Sequence, residues 1–154
     1  MEFNGLPLHP LVVHAAVVFV PLAALSAILY AVPRWRWLLR WPTLLLSLAA
    51  LVLVQVSIMS GEDLEESRKL GSPQVEVHSM WADRLRIGMV VLAVVAIVAF
   101  WALSYATRLS GGADRPARAV ALEVPVAVLL ALVGVVVLFL VFKTGDAGAR
   151  AVWG

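Results

Sequence analysis

The chain has 154 residues, of which 62% are hydrophobic and only 14% are charged. Soluble domains carry about half apolar and about a quarter charged residues, so this composition excludes an ordinary soluble domain and is typical of an integral membrane protein. The absence of cysteine excludes disulfides, thiolate metal sites and cysteine nucleophiles, and a net charge of +2 gives no indication of nucleic-acid binding.

Four apolar segments are long enough to cross a lipid bilayer, which requires about 20 apolar residues. No Lys or Arg lies deep within them, and their only acid is Glu123, close to the start of the fourth segment. The sequence therefore predicts an all-α fold, a single domain over residues 1–154 that forms an integral membrane four-helix antiparallel bundle. The predicted spans are residues 10–32, 37–59, 85–105 and 120–142.

The first span opens with two histidines, in the stretch "LHPLVVH". Pro10 suits the first helical position because its missing N–H would be unpaired there, which makes His9 the helix cap at the level of the lipid head groups. His14 lies about 6 Å deeper, at a rise of about 1.5 Å per residue. Titratable groups within spans are costly and usually face the bundle interior. His14 is therefore either a ligand or a buried side chain that is bonded to a neighbouring helix.

The distribution of arginine predicts the orientation of the chain. The short loops after the first and third spans each carry three arginines, whereas the N-terminal tail has no Lys or Arg. Because cytoplasmic loops are enriched in these residues, we predict a multi-pass protein of the bacterial inner membrane with both termini outside the cytoplasm. All three histidines, and every acid except Asp114 and Glu123, then lie on the outer side.

The segment between the second and third spans, "SGEDLEESRKLGSPQVEVHSMWADR", is the most polar part of the chain. Residues 62–70 are predicted to form a short extracytoplasmic surface helix, which the following Gly-Ser-Pro sequence ends. Glu76 then precedes His78 by two positions, where the chain re-enters the membrane. A carboxylate near a histidine can fix its tautomer and raise its basicity as a ligand. The alternative is an ordinary polar helix start.

The chain is predicted to leave the fourth helix through Gly145, because Gly145 and Gly148 together are typical of a helix stop. The alternative is that these two glycines bring the backbone close to a ligand. Within the same span, Ala127 and Ala131 have the spacing of small residues that allow close helix contacts. Such a contact lies either inside the bundle or between copies in a homo-oligomer.

Four stretches of the chain together resemble one bacterial membrane family, catalogued as domain of unknown function 2231. They are "LHPLVVH", "SGEDLEE", "VEVHSMWADR" and "TGDAGARAVWG", and the resemblance runs over essentially the whole chain. The usual family pattern has "HFPI" where this chain has "HAAVV", so we expect different packing around His14. Members occur fused to or beside Rieske-type and other redox domains, so the resemblance implies redox work with a redox partner protein.

Three functions are compatible with this pattern. In the first, His14 and His78, from the diagonally opposite helices one and three, ligate one haem b that transfers electrons. In the second, imidazoles and carboxylates bind a Zn, Cu or Fe ion, and the candidate ligands are His9, His14, His78, Glu62, Glu76 and Asp146. In the third, the protein is a non-catalytic membrane scaffold or subunit. No nucleophile–base pair, phosphate loop or paired-carboxylate motif is visible, so the sequence predicts an electron carrier or binding protein rather than an enzyme.

Overall fold

The computed structural model of the protein describes residues 2–3, 6–68, 72–105, 110–118 and 120–153. Two short antiparallel strands come first, β1 (Glu2–Phe3) and β2 (Leu6–Pro7). Four long helices make up most of the described chain, and a single 3-10 turn (Pro33–Trp35) joins the first two. The helices are α1 (Leu8–Ala31), α2 (Arg36–Arg68), α3 (Pro73–Ala102) and α4 (Val120–Trp153).

Each of the four helices is long and apolar enough to cross a membrane. Many of their outward-facing side chains are large and apolar, such as Ile87 and Leu132, which are 62% and 58% exposed. In water such a surface would be unfavourable, whereas lipid tails are as apolar as these side chains. The expected all-helical membrane protein with four apolar helices is confirmed.

Three of the helices extend beyond the predicted spans. The surface helix predicted over residues 62–70 is, as far as Arg68, a continuation of α2, and residues 69–70 lie outside the described part of the chain. Helix α4 likewise runs through Gly145 to Trp153, so the predicted stop at Gly145 is wrong. Helix α3 begins early at Pro73, because the Ser72 hydroxyl accepts a hydrogen bond from the Val75 N–H and caps it.

The helices pack in a ring, in which α1 contacts α2 and α4, and α3 contacts α4 and α2. Small residues bring α1 and α4 together: a Cβ added to Gly134 would lie 2.8 Å from Ile28 Cγ1 and 2.9 Å from the Ala24 carbonyl oxygen. Ala127 is also buried in this core, so its spacing serves contact within the bundle. Helices α1 and α3 therefore occupy opposite corners of the ring.

Polar contacts join the helices at both of their ends. The starts of α1 and α3 lie beside the last turns of α2 and α4, and we call this region the histidine end because it holds His9 and His78. The end of α1, the start of α2, the segment after α3 and the start of α4 meet at Arg36, and we call this region the arginine end. Most of the intervening core is Ala, Val and Leu.

Candidate functional site

His9 lies at the start of α1 and is anchored to α2. Its Nδ1–H donates to the carbonyl oxygen of Ser57 at 2.9 Å, and the Ser60 hydroxyl donates to the same oxygen at 3.1 Å. The ring lies against Gly61, where an added Cβ would be 3.0 Å from His9 Cε1. A side chain at position 61 would therefore clash with the half-buried His9 ring.

His78 lies in the first turns of α3 and is anchored to α4 in the same way. Its Nδ1–H donates to the carbonyl oxygen of Thr144 at 3.1 Å. The ring lies against Gly148, where an added Cβ would be 2.9 Å from His78 Cε1. The Thr144 hydroxyl shares its one proton between the Leu140 carbonyl oxygen of its own helix at 2.8 Å and the Trp81 carbonyl oxygen of α3 at 3.1 Å, beside the ring.

The two anchors repeat one arrangement. In each helix pair, a histidine on the first helix donates to a backbone carbonyl of the second helix. The ring then packs against a glycine that lies four residues after the residue with that carbonyl. Because a carbonyl oxygen only accepts, Nδ1 carries the proton in both rings and the lone pair of the neutral imidazole is on Nε2. The histidine end therefore offers two oriented Nε2 donors from opposite corners of the ring of helices.

His14 lies outside this pair. It is on the exposed side of α1, and its Nδ1–H donates to the carbonyl oxygen of Pro10 in the same helix. Five residues turn an α-helix by about 140° beyond a full turn, so a helix that directs His9 inward directs His14 outward. In the described part of the chain, no contact joins His14 to His78. Its role as a ligand stays a prediction that this placement does not support.

The predicted carboxylate ligands also lie apart from the imidazoles. Glu62 and Glu76 are exposed, and the Asp146 carboxylate pairs with Arg150 at 3.1 Å. Among the described residues, no group of three or more His, Asp or Glu side chains is arranged to hold a metal ion. The group that orients the His78 ring is the Thr144 carbonyl, not the predicted Glu76 carboxylate.

The sequence did not identify the backbone carbonyls that accept from His9 and His78. It also did not show that the two rings pack against Gly61 and Gly148, positions that we call the ring seats. The one available signal was a shared spacing near the ends of α2 and α4: a hydroxyl residue followed by glycine four positions later, at Ser57 and Gly61 and again at Thr144 and Gly148. One helical turn separates the members of each pair, so both face the same neighbour. The same spacing recurs at Ser67 and Gly71 and at Thr107 and Gly111, so it does not by itself identify the partners of a ring.

A second polar centre, which the sequence did not predict, lies at the arginine end. Arg36 is only 5% exposed and forms an ion pair with Glu123. Its Nη1 also donates to the Ser104 carbonyl and hydroxyl oxygens at 3.4 and 3.3 Å, and its Nη2 donates to the Ala31 carbonyl oxygen at 3.4 Å. The Ser104 hydroxyl donates to Glu123. One guanidinium thus links α1, α2, α4 and the segment that follows α3.

Comparison with known proteins gives a family and no close relative. Residues 5–154 match the family described as "Predicted membrane protein (DUF2231)". No curated protein and no solved structure matches the chain.

Proposed function

The chain belongs to the DUF2231 family of predicted membrane proteins, and for it we propose that the histidine end binds haem b in electron transfer. His9 and His78 would hold the haem iron, so His9 takes the place that sequence reasoning gave to His14. The observation that carries the proposal is the repeated anchor, in which each Nδ1–H is held by a carbonyl and each Nε2 keeps its lone pair.

This anchoring is what an iron ligand requires. Metal-bound histidines almost always donate their other ring N–H to a carbonyl or carboxylate, which fixes the ring and raises the basicity of the ligand nitrogen. The two helices that carry the rings stand at opposite corners. Imidazoles from opposite sides of a helical bundle would both be available to a single haem iron held between them.

Haem fits these donors better than a bare metal ion does. A protein zinc site uses about three or four side-chain ligands, whereas the described part of the histidine end has no group of three or more His, Asp or Glu side chains that could hold a metal ion. The haem macrocycle supplies the equatorial nitrogens itself, so two axial side chains suffice. The glycine at each ring seat lets the imidazole lie close to the helix backbone.

We place the histidine end outside the cytoplasm, in an antiparallel bundle of the bacterial inner membrane. The support is the basic character of the opposite end, where the described arginines include Arg34, Arg36, Arg40, Arg115 and Arg118. Short loops rich in arginine stay in the cytoplasm. A haem at the histidine end then lies near the outer surface, where an extracytoplasmic redox protein reaches it.

The test is the absorption spectrum of the full chain, expressed with a haem supply and purified in detergent. We expect a Soret band that shifts on reduction, and we expect His9→Ala and His78→Ala each to lower the low-spin haem content by about tenfold or more. His14→Ala is the matched control, because it removes the same side chain from the same helix on its exposed face.

Two results would contradict the assignment. Loss of the spectrum in His14→Ala with retention in His9→Ala would restore the His14 and His78 pair. A colourless wild-type protein without bound metal by elemental analysis would exclude both kinds of site and leave the scaffold function.

A further inference from the structure

The arginine end contains buried donors that have no acceptor. Among the described residues, four N–H-bearing nitrogens at this end are shielded from solvent and lack a hydrogen-bond partner, and they are Arg36 Nε, Trp37 Nε1, Arg40 Nη1 and Arg115 Nε. Native proteins leave few buried donors unpaired, and each one that remains needs an explanation, such as an ordered water, an ion or a ligand. Four such donors at one end of the bundle call for an acceptor with several oxygens.

These donors belong to one cluster, in which Trp37 joins the arginines because Arg40 Cζ lies 5.8 Å from the Trp37 ring centroid. Arg40 and Arg115 both stack on the ring of Tyr105, with their Cζ atoms 4.4 and 5.0 Å from the ring centroid. Arg36 bonds to Ser104, the residue before Tyr105. The charges of all three arginines also lie close enough to interact with the Tyr30 hydroxyl.

The cluster carries more positive charge than its acids neutralise. Glu123 pairs with Arg36. The other described acid at this end, Asp114, is exposed and accepts from the Ser110 hydroxyl. Within the described ranges, Arg40 and Arg115 have no carboxylate partner although they share one aromatic ring. Like charges that stack on one aromatic ring repel each other, and a nearby anion would relieve the repulsion.

We propose that the arginine end binds one phosphate group, of the kind that an anionic phospholipid head group carries. A phosphate accepts hydrogen bonds through several oxygens, and the planar guanidinium fork matches it in bidentate geometry. Basic pockets between transmembrane helices are known sites for anionic head groups. Leu38 and Trp41, which flank Arg40 on α2, are 46% and 51% exposed and provide apolar surface for acyl chains.

The experiment measures binding of phosphatidylglycerol to the full chain by native mass spectrometry in detergent, with phosphatidylcholine as the zwitterionic reference. Arg40→Gln is the test variant, because Arg40, unlike Arg36 and Arg115, makes no hydrogen bond to a described backbone carbonyl. We expect one phosphatidylglycerol per wild-type chain, and we expect binding about tenfold weaker in Arg40→Gln.

Arg34→Gln is the matched control. Arg34 is exposed at the same end and stacks on Trp35 at 5.3 Å, so the substitution removes the same charge without touching the cluster. We expect its binding to stay within about twofold of wild type. Trp37→Phe tests the site independently if Arg40→Gln fails to fold: it removes one buried N–H donor and keeps an aromatic ring, and we expect weaker binding.

An inorganic phosphate arm identifies the source of the group. If millimolar phosphate displaces phosphatidylglycerol, the site exists and also binds free phosphate. If the lipid stays bound, the site exists and the lipid head group supplies its phosphate. Equal binding of phosphatidylglycerol and phosphatidylcholine, equal weakening in Arg34→Gln and Arg40→Gln, or full binding in Trp37→Phe would each overturn the proposal.

Discussion

Replacing Glu123 with alanine is expected to lower the free energy of unfolding by about 3 kcal/mol, the lower end of the range for breaking a buried ion pair. The reason is the charge left behind: the Arg36 side chain is 6% exposed, and Glu123 supplies its only carboxylate within the described structure. The Glu123 side chain itself keeps 23% exposure, which holds the effect below the upper end of the range. Denaturant titration of the detergent-solubilised protein measures the change.

Two further variants show whether the cost arises from the orphaned guanidinium. Asp114→Ala removes an exposed carboxylate at the same end together with its hydrogen bond from Ser110, and it should lower the free energy of unfolding by only about 1 kcal/mol. The double variant Arg36→Met with Glu123→Leu removes both charges, and it should recover most of the lost stability because no charge is left buried without a partner. A double variant as unstable as Glu123→Ala would contradict this explanation.

Replacing Gly148 with leucine is expected to displace the His78 ring and to abolish the low-spin haem spectrum. A Cβ at this position would already lie 2.9 Å from His78 Cε1, and the remaining leucine atoms need the space that the ring occupies. The Nδ1–H of His78 then loses the Thr144 carbonyl. Overpacking of this kind costs about 1–3 kcal/mol of stability even without a cofactor, so unfolding of the haem-free protein provides a second measurement.

Gly145→Leu is the control for this substitution, since it makes the same change one turn earlier in the same helix. A Cβ at Gly145 would meet no atom within 4 Å. Leucine is the better helix former by up to about 1 kcal/mol, so this variant should keep the spectrum and unfold at the same or higher denaturant concentration. Equal loss of the spectrum in both variants would show that the effect comes from helix α4 and not from the ring seat.

The fold was largely predictable because the lipid bilayer constrains it so strongly. Length and hydropathy sufficed to find four helices, since a span must satisfy its own backbone hydrogen bonds. The helix bounds were less predictable at the ends. Gly61 and Gly145 look like helix stops in the sequence, yet the helices continue through both, and Gly61 serves as the seat of the His9 ring.

The candidate site was predictable only in part, and the reasons why the sequence did not predict the rest are physical. The gathering of His9 and His78 at one end follows from the number of spans alone. Their acceptors are backbone carbonyls, which every residue possesses, so no side chain marks Ser57 or Thr144 as the partner. The choice of His9 over His14 depends on the rotation of α1 about its axis, which the nearly uniform hydrophobicity of its sides leaves open.

The pairing of Arg36 with Glu123 was beyond sequence reasoning for a different reason. The two residues are 87 positions apart, and their contact depends on which helices are neighbours in the ring. Arg36 instead served as evidence for membrane orientation, because arginines beside a span are usually read as anchors in the lipid interface. A lone acid at the start of an otherwise apolar span was the signal available in the sequence, since such a charge needs a partner.

The two ring anchors have a thermodynamic consequence. Each histidine is tied within its own helix pair, His9 to α2 and His78 to α4, so neither pair alone holds both donors. A ligand that bridges the two Nε2 atoms is then a cross-link between halves of the molecule, and separation of the halves releases it. By linkage, ligand binding raises the free energy needed to separate the halves. The increase is about 2.7 kcal/mol when the free ligand concentration is about a hundred times its dissociation constant.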